Sequence, residues 1–307
     1  MTRAAAIDVG TNTVRLLVAD RTSEGLIDVE RDLVITRMGE GVDTARKLAD
    51  AALGRTVRAI ADYHRRATDT GAEIVRIAAT SAVRDSSDRQ RFVDSVRDAT
   101  GLAPEILTGE EEARLSFLGA VSDLDAGGPF LVLDVGGGST EFVRGARDVE
   151  AWTSLDIGSV RYTERHIEHD PPTAEELAAM AADADRAVQD AKKAVGDGVG
   201  TLVGLAGTIT TLTAVSLGLE GYDRERIHHA TLSRHEIRRV TDLLARMTND
   251  ERRSHPVMPP GREDVIVAGA VILLRVMEGF GFDDVLVSEA DLLDGLILSS
   301  GPEPASR

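Results

Sequence analysis

Two short stretches of this chain are near copies of one another. Ala6-Ile-Asp-Val-Gly-Thr-Asn-Thr-Val-Arg15 aligns with Val132-Leu-Asp-Val-Gly-Gly-Gly-Ser-Thr-Glu141, so that Asp8 matches Asp134, Gly10 matches Gly136 and Thr13 matches Ser139. The offset is about one domain length. Each copy reads as an apolar strand closed by an Asp, a turn of small residues carrying hydroxyls, and a returning strand. Gly10, Thr11, Asn12 and Thr13 form one turn; Gly136, Gly137, Gly138, Ser139 and Thr140 form the other. Small residues let a backbone approach an anion and aim N–H groups at it, and hydroxyls add donors. An Asp at the strand end can hold a divalent cation directly or through water. Either copy alone also reads as a hairpin whose glycines serve turn geometry. Two copies at domain spacing favour a pair of phosphate clamps, which would hold a polyphosphate between two domains.

Composition narrows the ligand. The 307 residues include 42% hydrophobic and 28% charged residues, enough to bury a sizeable core. The formal charge of −17 excludes a global basic footprint for nucleic acid. Local amides and a metal can still hold phosphate on an acidic chain. Aromatic residues are only 3%, which argues against base-stacking platforms. With no cysteine, disulfides, iron–sulfur clusters, Cys-ligated zinc and a Cys nucleophile are excluded. The N-terminus lacks the apolar stretch of a signal peptide. The apolar run Val265–Val276 is too short to span a bilayer. The expectation is a cytoplasmic protein with neither nucleic acid nor membrane as a partner. P-loop, dinucleotide, GxSxG and HExxH signatures are all missing.

The pattern elsewhere alternates strands with helices and predicts an α/β fold with a largely parallel sheet in each half. Helices are expected over Leu48–Thr68, from a capping box at Ser87 and Gln90 to Gly101, and from a box at Thr108 and Glu111 to about Val121. A further box at Thr173 and Glu176 opens an Ala-rich helix to about Val195. The acidic, Gly-rich stretch Asp123–Pro129 marks a boundary. Arg84 follows a strand, and its guanidinium suits bidentate phosphate contact.

The motif set IDVGTNTVRLLVAD, AATSAVRD, TGEEEARLSFLG, LDVGGGSTEF, DIGSVRYTE and GLAGTITTL, in order from Ala6 to about Leu298, resembles the exopolyphosphatase / guanosine pentaphosphate phosphohydrolase (Ppx/GppA) family of the actin–Hsp70–sugar kinase superfamily. The resemblance implies two actin-like, ribonuclease H-like α/β domains with the ligand crevice between them. These are placed at 1–122, with a last helix at about 288–307 packing back onto it, and at 123–287. It implies that Glu112, the acid immediately before Ala-Arg, is catalytic, and that Arg84 is a phosphate ligand. It also places Asp134 and Glu141 near a catalytic Mg²⁺, with Mn²⁺ as the substitute and Asp8 as the symmetric candidate. Gly207 and Thr208 resemble the superfamily's third phosphate loop, but Ala206 stands where the family more often has Gly. In SEADLLDGL, Asp291 and Leu293 replace the Gly and Arg of the common Gly-Leu-Arg-Glu-Gly, so no substrate contact is assigned there.

The activity implied is Mg²⁺-dependent hydrolysis of the terminal phosphate of inorganic polyphosphate by water activated by Glu112. The alternative substrate is pppGpp, and a homodimer is admissible. Rival classes are an ATP-dependent kinase of the same superfamily and a non-catalytic polyphosphate or nucleotide sensor.

Overall fold

The computed structural model describes residues 2–124, 127–198 and 200–300. The chain begins β1 (Thr2–Val9), β2 (Thr13–Thr22), β3 (Gly25–Ile35), α1 (Val42–Ala45), α2 (Asp50–Asp69), β4 (Ile74–Ala79), α3 (Ser81–Arg84), α4 (Arg89–Thr100), β5 (Glu105–Ile106) and α5 (Gly109–Val121). It continues β6 (Phe130–Val135), β7 (Thr140–Gly145), β8 (Val149–Leu155), α6 (Ser159–His166), α7 (Ala174–Val195), β9 (Thr201–Leu205), α8 (Ala206–Ser216) and α9 (Arg224–Ile227). It closes with β10 (Thr231–Ser233), α10 (Arg234–Arg246), α11 (Asn249–Arg253), α12 (Ile266–Phe280), β11 (Asp284–Val287) and α13 (Leu292–Leu298). Two compact units divide it. One runs to residue 125 and resumes at 290; the other spans 126–289. Of the expected boundary stretch 123–129, residues 125 and 126 lie outside the described residues, as do 301–307 of the expected last helix.

The first unit holds a five-stranded sheet in the order β3-β2-β1-β4-β5. Alternation along the strands splits its core in two. Ala5, Ile7, Leu16 and Val18 pack toward Ile60 of α2 and Phe92 of α4. Ala4, Ala6, Leu17 and Ala19 pack with Leu292, Leu293 and Leu296 of α13. Gly119 of α5 and Gly295 of α13 let these two helices touch backbone to backbone: a Cβ on Gly119 would strike the Asp291 carbonyl, and one on Gly295 the Leu115 carbonyl.

The second unit's sheet runs β10-β11-β9-β6-β7-β8. Read from β8 through β11, it repeats the strand order of the first unit, with β10 added at the edge. This duplicated order is that of an actin-like two-domain chain. Buried Met180, Ala184, Val188, Ala191 and Val195 recur every three or four residues along α7 and face the core with α12. Both sheets are mixed, which corrects the expectation of largely parallel ones. β1–β2, β2–β3, β6–β7 and β7–β8 are antiparallel, while β1–β4, β4–β5, β6–β9 and β9–β11 are parallel. The reason is the hairpin itself: a turn of a few residues joins only antiparallel strands, and the parallel neighbours arrive by crossover. The capping boxes at Thr108 and Thr173 form. The one expected at Ser87 does not. Asp88 is the N-cap of α4, while the Ser87 hydroxyl donates to the Arg46 carbonyl.

Candidate active site

The two turns share one construction. The Gly10 N–H donates to the Thr13 carbonyl (2.9 Å), and the Gly136 N–H to the Ser139 carbonyl (3.0 Å). In each unit the segment after the third strand seizes the turn's carbonyls. Gly39 N–H donates to Thr11 O, and the N–H groups of Thr36 and Arg37 to Asn12 O. In the second unit the head of α6 does the same: Ser159 N–H donates to Gly136 O, and Val160 and Arg161 N–H to Gly137 O. The Arg161 Nε–H donates to Gly138 O (2.7 Å). In a planar trans peptide the C=O of one residue and the N–H of the next point in opposite directions. Carbonyls 136–138 tied to α6 therefore turn the amides of Gly137, Gly138 and Ser139 away from it, a row of donors of the kind that receives phosphate oxygens. By the same rule the amides of Asn12 and Thr13 point away from residues 36–39. Gly158 is required here, because a Cβ on it would collide with the Gly137 backbone.

Thr140 departs from expectation. Its side chain is fully buried and its hydroxyl donates to the Ile157 carbonyl (2.7 Å), so it ties β7 to the segment between β8 and α6 and does not join the turn's open face. In the first turn the Thr11 hydroxyl pairs with that of Ser81 (2.9 Å).

The carboxylates separate the two hairpins. Asp134 lies opposite Glu141 in the β6–β7 register, and both are buried. The Ser154 hydroxyl on β8 donates to Glu141 Oε1 (2.7 Å). Asp8 occupies the corresponding place on β1, but opposite it stands Arg15. The Arg15 Nε and Nη2 both donate to Asp8 Oδ2 (3.0 and 2.7 Å), and its Nη1 donates to Asp291 Oδ2. Asp8 is only 3% exposed, and its Oδ1 has no hydrogen-bond partner. Burial pushes the Asp8 carboxyl up against the opposing pull of Arg15. Burial would raise Asp291 too, but Arg15 and Arg31 together hold it below the usual carboxylate range. Each unit by itself carries hard oxygen donors of the kind that suit a hard divalent cation: the second has two buried carboxylates across β6–β7, and the first has one carboxylate oxygen on β1 without a hydrogen-bond partner.

Glu112 sits in the first turn of α5, which the Thr108–Glu111 capping box fixes in place. Thr108 N–H and then its hydroxyl hold the Glu111 carboxyl below the usual range, so Glu111 is committed to the cap. Glu112 is instead turned inward, 7% exposed, and accepts a hydrogen bond from Arg84 Nη1 (2.8 Å). The same nitrogen donates to the Leu107 carbonyl (3.1 Å). Arg84 ends α3, directly after β4, so two of the sequence-derived candidates meet as an ion pair.

The third loop opens α8. Ala206 takes φ = 69°, the left-handed region that Gly occupies without strain, and a Cβ there costs about 1–2 kcal/mol. Thr208 is buried against α12, where a Cβ on Gly269 would strike it. Sequence reasoning missed Arg262, which is buried and donates from Nη1 to the Gly207 carbonyl (2.9 Å) and to Thr211 Oγ1 (2.8 Å). It also missed Arg15 as the partner of Asp8 and Asp291 as the second partner of Arg15. The signal for Arg15 was present in the alignment, where it stands against Glu141; that for Asp291 lies 276 residues away and only folding brings it near.

Residues 17–303 match the Ppx/GppA phosphatase family. The chain is 42% identical to Exopolyphosphatase 2 of Mycobacterium tuberculosis, over 97% of this chain and 98% of that protein. Among solved structures, it is similar to an exopolyphosphatase-like protein at 38% identity and TM-score 0.92, covering 97% of this chain and 98% of the other. It is also similar to the Aquifex aeolicus Ppx/GppA family member, at 32% identity and TM-score 0.83, over 97% of each chain. No helix among the described residues is long and apolar enough to cross a membrane. With a duplicated actin-like order, two matched glycine–hydroxyl turns and similarity along nearly its whole length, the chain belongs to the Ppx/GppA phosphatase family.

Proposed function

We propose that the protein is a divalent-cation-dependent exopolyphosphatase, releasing terminal phosphate from inorganic polyphosphate by attack of water. The observation that supports this most is the Gly136–Ser139 turn, with its amides swung off α6 and two buried carboxylates at its base. In this reading the amides of Gly137, Gly138 and Ser139, with those of Asn12 and Thr13, bind phosphate oxygens, and so does Arg84. The Gly10 and Gly136 amides close the turns. Gly207 and Thr208 form a third contact held by Arg262. Asp134 and Glu141, with Asp8 as the further candidate, would hold the cation, magnesium or in its place manganese. When bound, it supplies neutralisation of the charge on the phosphate chain.

Glu112 orients the attacking water and takes its proton as the water oxygen bonds the terminal phosphorus. The bridging P–O bond breaks, and its electron pair leaves with the shortened chain. Arg84 has two roles in sequence. In the free protein it neutralises Glu112. A phosphate oxygen arriving at the guanidinium competes with that carboxylate, so substrate binding frees the base.

Polyphosphate is placed ahead of pppGpp because a repeating anion needs only backbone donors and cations, and because the chain is poor in aromatic residues that could sandwich a purine. Phosphate release measured in parallel from long polyphosphate, tripolyphosphate, pppGpp and ATP tests this. The expected kcat/KM for polyphosphate exceeds that for pppGpp by at least about tenfold, roughly 1.4 kcal/mol of transition-state binding. An equal or reversed ratio overturns the substrate choice. Transfer from ATP to an acceptor other than water overturns the reaction class.

A further inference from the structure

Asp291 is the residue that the sequence left without a role, standing where the family's common motif has Gly. It caps α13: its Oδ1 accepts from Leu293 N–H (3.0 Å), and its own N–H donates to Asp294 Oδ2 (2.9 Å). A cap needs only one of the two carboxylate oxygens. The other, Oδ2, takes Nη1 of Arg15. Arg15 is thereby held at both ends. Nη1 belongs to Asp291, and Nε and Nη2 converge on a single oxygen of Asp8, Oδ2. A guanidinium beside a carboxylate otherwise prefers the two-pronged arrangement, with one nitrogen on each oxygen. Here that arrangement does not form, and Asp8 Oδ1 is left buried without a partner. A buried anionic oxygen in that state costs free energy unless something pairs with it. Its position at the mouth of the first glycine–hydroxyl turn gives the pairing a use.

We propose that Asp291 is a positioning residue that draws Arg15 to one oxygen of Asp8 and so presents the other, Oδ1, to a hydrated divalent cation. The inference rests on the reading of the chain as a cation-dependent phosphohydrolase. Asp294 supports the arrangement from behind, since Arg31 Nη2 donates to its Oδ1 (2.8 Å), anchoring the head of α13 to β3. The close packing of α13 on α5 leaves Asp291 little freedom to retreat.

Mn²⁺ binding to the metal-free protein, followed by electron paramagnetic resonance of the unbound ion, tests this without any turnover. Asn is as good an N-cap as Asp, so Asp291→Asn keeps α13 capped, and a thermal unfolding scan verifies that it does. Without the pull of Asp291, Arg15 closes on both Asp8 oxygens, and Mn²⁺ binding weakens about tenfold, the usual cost of losing a group that orients a ligand. Arg15→Gln frees Asp8, so it binds Mn²⁺ at least as tightly as wild type. Asp291→Asn added to Arg15→Gln then changes nothing further. If Asp291→Asn binds Mn²⁺ like wild type, or if the double variant is as weak as Asp291→Asn alone, Asp291 does not act through Arg15 and the proposal falls. Asp134→Asn and Glu141→Gln keep the two failures apart. If these also bind Mn²⁺ like wild type, the cation-dependent reading itself is wrong. If they lose it while Asp291→Asn does not, only the role of Asp291 is.

Discussion

The β1–β2 and β6–β7 hairpins share a frame and differ in charge. Both close on the same N–H···O bond between a Gly and the hydroxyl residue three positions on, and both have their turn carbonyls taken up by the segment after the third strand. At the cross-strand position beside the Asp, one hairpin carries Arg15 and the other Glu141. The first therefore pairs one oxygen of its carboxylate internally, Oδ2 of Asp8, and leaves Oδ1 without a hydrogen-bond partner. The second gathers two carboxylates in one buried place, where the proposed cation would add the balancing charge. A difference of one residue type at one register position thus gives a duplicated backbone an ion pair in one copy and a pair of facing carboxylates in the other.

The comparison can be broken most severely at Glu141. Glu141→Gln keeps the size of the side chain and the hydrogen bond from Ser154, but removes the second negative charge. Activity at fixed, moderate Mg²⁺ is expected to fall by about a hundredfold, with the Mg²⁺ concentration for half-activity rising 10–100-fold, as for loss of a group that directly serves a metal. Superimposable metal titrations for variant and wild type would make Glu141 structural. Arg15→Gln gives the opposite pattern, with metal binding at least as tight as in wild type but clear loss of stability. Breaking a buried pair typically costs about 3–5 kcal/mol. Arg15 is partly exposed and solvent screens part of the charge it leaves, so the lower end of that range is expected in urea unfolding. Stability within about 0.5 kcal/mol of wild type would show that the Asp8–Arg15–Asp291 chain contributes nothing to the fold.

The turns themselves supply a smaller contrast. A Cβ on Gly136 would press on the Ser139 carbonyl at 2.9 Å, whereas one on Gly10 meets only ordinary contacts at 3.5 Å and beyond. Gly136→Ala is expected to cost about 1–3 kcal/mol through overpacking, and Gly10→Ala no more than about 0.5 kcal/mol. Equal costs in thermal or urea unfolding would mean that the two turns are not packed as described.

Much of this architecture was legible in the sequence where the determinants are local. The hairpins announced themselves as a repeat, and the boxes at Thr108 and Thr173 fixed two helix starts because capping depends on residues three apart. At Ser87 the same pattern failed, since the Arg46 carbonyl, distant in sequence, claims the hydroxyl. α6 was not read at all. It opens on Gly158 with no capping side chain, and its first N–H groups find their acceptors in the glycine turn, which only tertiary structure supplies. The candidate site divides in the same way. Glu112, Arg84, Asp134 and Glu141 were named from motifs, but the ion pair joining Glu112 to Arg84 and the anchoring of Arg15 by Asp291 depend on elements far apart in the chain. The exclusion of Thr140 from the turn's open face likewise rests on Ile157, 17 residues on and just past β8, a strand the sequence did not reveal.

Glu112 is the proposed general base, and its removal tests hydrolysis by activated water most directly. Phosphate release from polyphosphate under saturating Mg²⁺ should drop 10²–10⁴-fold in Glu112→Gln, the usual contribution of a general base. The same variant should bind the non-hydrolysable methylenediphosphonate more tightly than wild type, because Arg84 no longer has the Glu112 carboxylate to give up. A Glu112→Gln protein that turns over polyphosphate at a near-wild-type kcat would contradict the account.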